Sequence, residues 1–182
     1  MTPVLTQGTP DVTCRFQTCY DVTLWPVALE AVTFCNADDY AFNKSVLSSN
    51  QLMRFRFRSL GMPFSALSTL SSLTFYVTGA SALTKNVYEL FASCDPAVFS
   101  SPDEGATLSF LGKDSLKFKG FADTEALFPV AAQEHSAYRL LQEYFVFPEK
   151  FLFFDLNMGA LGGASDTLDL FVIPISKTFN AS

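Results

Sequence analysis

Charge is scarce in this chain. Asp, Glu, Lys and Arg make up 16% of its 182 residues, against about a quarter in an ordinary soluble domain, so little is left to solvate a free surface. Cations are scarcer than anions, 12 against 18, for a formal net charge of −6. Arg54, Arg56 and Arg58 are their one cluster. Nucleic-acid binding, which gathers phosphates on a basic patch, is disfavoured. No Lys/Arg run would hold the chain on anionic lipid. Histidine occurs once, at His135. Without a second histidine, an HExxH or a CxxC pair, a dedicated transition-metal site lacks a ligand set. The four cysteines, Cys14, Cys19, Cys35 and Cys94, form no dense framework and read as reduced, mostly buried thiols of a cytosolic protein. No apolar run approaches the roughly 20 residues that span a bilayer. The opening MTPVLTQGTPDV has neither the basic nor the apolar region of a signal peptide and reads as an entry into the middle of a longer chain.

Catalytic patterns are equally thin. GALGGAS lacks the lysine of a phosphate-cradling loop, GKDS from Gly112 lacks the upstream glycine, and neither GxGxxG nor GxSxG occurs. Carboxylates fall close together at Asp38 and Asp39, Asp103 and Glu104, and Glu143 and Glu149. Such pairs can run glycoside hydrolysis when held about 5–9 Å apart. These lie in loops or on helix positions read as solvent-facing, where solvation accounts for them. His135, in a polar turn before a helix, reads as a cap or a solvated side chain ahead of a general base. No cofactor is implied.

What the chain has in quantity is rings. Phe alone supplies 20 residues and 49% of the chain is hydrophobic, which gives a core of ample size for one domain. Residues 1–11 read as a connector. VTCRFQTCY alternates as a half-buried strand. DVTLWPVALEAVTFC offers Val22 and Leu24, breaks at Pro26 and resumes through Val27, Leu29, Val32 and Phe34, which suggests an edge or a bend. After the polar loop 36–50, QLMRFRFRSL turns Met53, Phe55 and Phe57 inward and the three arginines outward. That row reads as a solvated face blunting a sheet edge. It could also receive acidic groups of a partner. LTFYVTG is a further strand. SALTKNVYELFAS is a helix with Ser81 as N-cap and Leu83, Val87, Leu90 and Phe91 on one face. ATLSFLG and SLKFKGF form a meander.

YRLLQEYFVFPEKFLFFDL, 138–156, holds seven rings in nineteen residues. Ser136 caps a short helix whose face is Tyr138, Leu141, Tyr144 and Phe145. Pro148 ends it, and FLFFDL reads as a central strand covered on both sides, so that Phe153→Ala should cost about 3–5 kcal/mol. LDLFVIPIS is a last strand, with Pro174 favouring an edge or bulge. About eight strands and two short helices predict an α+β, mainly β fold, an antiparallel β-sandwich-like single domain over 12–182. Its rings are expected in a core, with Trp25 among them.

Two blocks carry a resemblance. CRFQTCYDVTLWPVALEAV from Cys14 and YRLLQEYFVFPEKFLFFDL from Tyr138 resemble the signature blocks of TssF, also called VasA or ImpG, a type VI secretion baseplate subunit family. LTFYVTG, VYELF and KGFADTEALFP match in order between them. The family's proteins are longer, so the chain is similar to an internal domain. The resemblance implies a cytoplasmic bacterial protein at the inner-membrane-docked baseplate, not an enzyme. Two TssF copies would join one TssG in a wedge, with TssK, TssE, VgrG and the sheath in the wider machine. It also implies that Phe16, Trp25, Pro26, Tyr138, Leu141, Tyr144, Phe147, Pro148, Phe151 and Phe153 define the fold. The alternative is a carbohydrate- or peptide-binding sandwich that uses exposed aromatics.

Overall fold

The computed structural model describes residues 3–7, 13–17, 20, 22–42, 50–93, 96–128, 135–159 and 165–173, the first two stretches as backbone only. The chain groups into two compact units. One contains Trp25–Phe118 and Leu152–Ser182, the other Met1–Leu24 and Lys119–Phe151.

The larger unit is a sandwich of two antiparallel sheets. Strands β3 (Val27–Asn36), β4 (Gln51–Ser59), β6 (Ala97–Ser101), β7 (Ser109–Gly112) and β10 (Thr167–Ile173) form the first, in the order β3-β4-β10-β6-β7. Strands β5 (Ser72–Tyr76), β8 (Leu116–Phe118) and β9 (Phe153–Asn157) form the second, in the order β5-β9-β8. Period-two alternation decides what lies between them. Met53, Phe55 and Phe57 of β4 face the same side as Val172, Leu170 and Leu168, their register partners on β10. All six are buried, together with Val98, Leu116, Phe154 and Leu156. Rings bridge the two sheets: Phe75 lies 6.0 Å from Phe55, 5.8 Å from Phe57 and 5.4 Å from Phe154. Helix α1 (Ser81–Ser93) adds Phe91, edge-on to Phe154 at 5.4 Å. Trp25 and Val27 pack against this core from the chain's entry into β3. The opposite face of the five-stranded sheet is covered too, by a second cluster in which Phe42 meets Phe171 and Phe99.

The expected mainly-β, antiparallel, two-helix fold is present, with several elements placed differently. Val22 and Leu24 are exposed outside any strand, and β3 starts directly after Pro26. Strand β10, expected at an edge or with a bulge, runs between β4 and β6 and is buried along six of its seven residues; Pro174 lies outside the described residues. Strand β9 is central, as expected, yet only Phe154 and Leu156 are fully buried, while Phe153 and Asp155 are half-covered. Helix α1 leaves Leu83 exposed and starts at Ser81 itself. Cys35 is a half-buried free thiol; the other three cysteine side chains lie outside the described residues.

In the smaller unit, β1 (Pro3–Gln7) pairs with β2 (Thr13–Gln17) in register Pro3 to Gln17, so the expected connector contains a strand. The side-chain faces of β2, Phe16 included, lie outside the described residues. The rest of the unit is a turn at Asp123–Glu125, helix α2 (Ser136–Val146) and a 3-10 segment beginning at Pro148. Gly120 has a φ of +97°, and a Cβ there would stand 3.1 Å from the Lys150 carbonyl. Its N–H donates to Glu125 Oε2 at 2.7 Å. Glycine suits that close backbone approach.

Phe153→Ala, half-covered against the Tyr76 ring at 4.8 Å, should therefore cost clearly less than Phe154→Ala, for which about 3–5 kcal/mol is expected. Denaturant unfolding of the two variants side by side checks the order.

Candidate interaction surface

Two buried carboxylates organise the polar chemistry. The first is Asp169, on β10 directly opposite Arg56 and two positions from Phe171, which faces Arg54. A charge in a buried strand needs partners. Arg54 Nη2 donates to Asp169 Oδ2 at 2.5 Å and Arg56 Nε to Oδ1 at 3.1 Å. Arg56 also reaches Glu104 at 2.6 Å, and Arg58 pairs with Glu30 at 2.5 Å. Glu30 sits where a bulge shifts the β3–β4 register. The Arg54 guanidinium also lies over the Tyr40 and Phe171 rings, 5.8 and 5.9 Å from their centroids. Hydrogen bonding to Asp169 raises the pKa of Arg54 and Arg56 beyond the ordinary arginine value. The arginine row is thus no plain solvated face. Side-chain exposure climbs from 18% at Arg54 through 28% at Arg56 to 56% at Arg58.

The second carboxylate is Glu143 on α2, expected on a solvent-facing position and found fully buried. Arg139, one helical turn earlier, donates to Glu143 Oε2 at 3.3 Å, and Lys150 Nζ donates to the same oxygen. The Leu127 and Phe128 N–H groups donate to Oε1 at 2.8 and 3.4 Å. Arg139 continues to Asp123 at 3.1 Å. Burial pushes the Glu143 pKa up, but the bonds from Lys150, Leu127 and Phe128 outweigh it and hold the carboxyl below the ordinary glutamate value. Helix α2 therefore turns charge inward and apolar side chains outward. This reverses the expected face: Tyr138, Leu141, Tyr144 and Phe145 are all exposed, as are Val146 and Phe147. Phe128, Tyr138, Leu141, Gln142, Phe145 and Val146 line an open hollow of about 660 Å³.

Of the remaining sequence-derived residues, Phe151 is buried and touches Phe121 and Tyr144, at 5.1 and 6.1 Å between centroids. Trp25 and Pro26 are half-buried, and Pro148 is exposed. His135 is the N-cap of α2; its Nδ1 accepts from the Ala137 N–H at 3.2 Å. Asp38, Asp39, Asp103 and Glu104 line a smaller hollow of about 310 Å³. Thr107 and Ser101 hydrogen bonds hold Asp103 below the usual carboxylate pKa. Among the described residues no group of three His, Cys, Asp or Glu is placed to hold a metal ion, and no helix is long and apolar enough to cross a membrane. Sequence reasoning missed Asp169 and the Arg139–Glu143–Lys150 cluster. Their signals were a lone carboxylate inside an apolar run and an Arg/Glu pair spaced i,i+4.

The family described as Type VI secretion system, TssF matches residues 2–177. The chain belongs to the TssF family. The Type VI secretion system component TssF1 of Pseudomonas aeruginosa is 34% identical over 148 residues, covering 79% of this chain and 24% of the relative. A chain in the cryo-electron microscopy structure of the type VI secretion system TssK-TssF-TssG baseplate subcomplex has the same fold. It matches with a TM-score of 0.72 at 22% identity, over 99% of this chain and 33% of that one. This chain thus spans well under half the length of either. Both resembling blocks fall inside the matched range, and the second contributes α2, the buried ion cluster and β9 to this TssF module.

Because Arg56 faces a buried carboxylate, Arg56→Glu should lower the melting temperature, whereas Arg58→Glu, at an exposed pair, should change it little. A fluorimetric melt of each variant checks this. Glu143 carries a pH signature. Its folded pKa is depressed, so its stabilisation is complete above the unfolded value of 4.5 and is lost as pH falls through the folded value. Glu143→Gln should cost about 3–5 kcal/mol near neutrality, since it leaves two buried cations short of a partner. Its deficit against wild type should shrink as the pH drops below that value, which unfolding across a pH series measures.

Proposed function

We propose that this chain is a rigid, non-catalytic building block of a TssF protein in a type VI secretion baseplate wedge. One observation carries this: the TssF family match runs over residues 2–177, nearly the whole chain. The likeness of its fold to a chain of the TssK-TssF-TssG subcomplex supports it. So does the construction of the molecule. Phenylalanine rings from both sheets fill the sandwich, and the buried charged groups are tied up in internal ion pairs. Among the described residues the larger hollow is lined by no carboxylate, histidine, lysine or thiol, and Tyr138 is the ionisable group there.

In this reading the full-length protein joins TssG and a second TssF copy in the wedge. TssK, TssE, VgrG and the sheath lie in the wider baseplate, on the cytoplasmic side of the inner membrane. The arginine row contributes to a partner contact chiefly through Arg58, its most exposed member. The ring-lined hollow on α2 favours a binding role as well. With Gln142 as its main polar side chain, it suits an apolar protein segment better than a sugar, whose hydroxyls need several hydrogen-bonding groups.

Full-length TssF co-expressed with TssG from the same source should co-purify as a stoichiometric complex. Failure to co-purify under conditions where each protein is folded would contradict the proposal.

A further inference from the structure

Five of the eleven residues of α2 are large, apolar or aromatic and exposed: Tyr138 at 67%, Leu141 at 55%, Tyr144 at 56%, Phe145 at 79% and Val146 at 68%. Scattered apolar residues on a surface need no explanation, but a contiguous patch marks an interaction site. Tyr138, Leu141 and Phe145 follow one another at spacings of three and four, so they form a ridge along one helix face, and the hollow of about 660 Å³ lies among them and Phe128. The helix does not display this ridge because it is loosely held. Its opposite face carries Arg139 at 3% and Glu143 at 0% exposure, locked to Lys150 and to the Leu127 N–H. Turning the helix over to bury its rings would break that cluster and strand its charges, so the outward face is fixed by the fold.

Charge says what covers it. Among the side chains described in the smaller unit, each lysine and arginine is held by a carboxylate: Lys119 by Glu125 at 3.6 Å, Arg139 by Asp123 and Glu143, Lys150 by Glu143. Glu149 is exposed, two residues beyond Phe147, and Asp123 remains 79% exposed despite its ion pair. The exposed charge of the smaller unit's described side chains is therefore negative. A second copy of the same face would bring like charges together. A surface with an apolar centre and cations at its edge would match.

We propose that the outward face of α2 is a docking surface for an amphipathic helix of a partner protein, its apolar stripe seated among Tyr138, Leu141 and Phe145 and its border carrying Lys or Arg toward Glu149. Ridge-into-groove packing and the helix-in-groove mode of recognition both need this geometry. The inference rests on the assembly role proposed above, which puts the partner among the proteins of the TssK-TssF-TssG subcomplex.

The test uses full-length TssF co-expressed with TssG and TssK. A photo-crosslinking residue at Gln142 should attach to TssG or TssK, at a helical peptide with Lys or Arg beside its apolar stripe. Phe145→Ser should weaken capture at least about tenfold, as loss of an interface anchor does, with the melting temperature of free TssF unchanged. Glu149→Lys should weaken it less and flatten its salt dependence. Crosslinking to TssF itself, in cis or to a second copy, overturns the inference. So does wild-type capture by Phe145→Ser, or a lowered melting temperature that shows the ring to be core. If wild-type TssF captures neither protein, the assembly role itself fails, and the docking inference with it.

Discussion

A carboxylate at zero exposure, held between a guanidinium and an ammonium, is the constraint on which the smaller unit depends. Glu143 has surrendered its hydration completely, and only the bonds from Arg139, Lys150 and two backbone N–H groups offset that loss. The cluster joins three separate pieces of chain: helix α2, the 3-10 segment after Pro148 and the turn at 121–128. Once α2 is anchored through its charges, its rings have nowhere to go but outward. The exposed aromatic ridge is thus a consequence of the ion cluster and not a failure to fold.

The larger unit repeats the device on a sheet. Asp169 lies in a strand buried along six of its seven residues and is tolerated because Arg54 and Arg56 reach it from β4. Two buried carboxylates thus absorb four of the chain's 12 cations, which is one reason so little charge is left for the surface. What holds the sandwich is the ring-filled layer between its sheets, where Phe75 meets Phe55, Phe57 and Phe154. A block built this way suits a part of an assembly: stiff inside, poor in free charge and apolar on a chosen face.

Much of the fold was legible in the sequence. The alternation of QLMRFRFRSL placed Met53, Phe55 and Phe57 in the core, and the antiparallel, two-helix, mainly-β class followed from strand-like runs separated by turn residues. Where legibility failed, the missing term was three-dimensional. Pro174 argued for an edge or a bulge; β10 is central, because the residues before the proline carry the pairing on both sides. The apolar stripe of α2 was visible, but periodicity tells only that two faces differ, not which one is buried. Glu143 read as a solvent-facing helix residue, because nothing in its local sequence shows Lys150 and the 127–128 backbone closing over it. The arginine row looked like a solvated face for the same reason, since its partner Asp169 is more than a hundred residues away in sequence. The functional reading came from ordered signature blocks, because an assembly role leaves no catalytic constellation to find.

The most direct measurement is hydroxyl-radical footprinting of full-length TssF, free and within its complex with TssG and TssK. Tyr138, Tyr144 and Phe145 should be modified readily in the free protein, with Tyr138 and Phe145 protected on assembly, while Phe57 and Phe154 stay protected in both. Protection of all three α2 rings already in free TssF would show them to be core side chains and contradict an outward-facing ridge held in place by the Glu143 cluster.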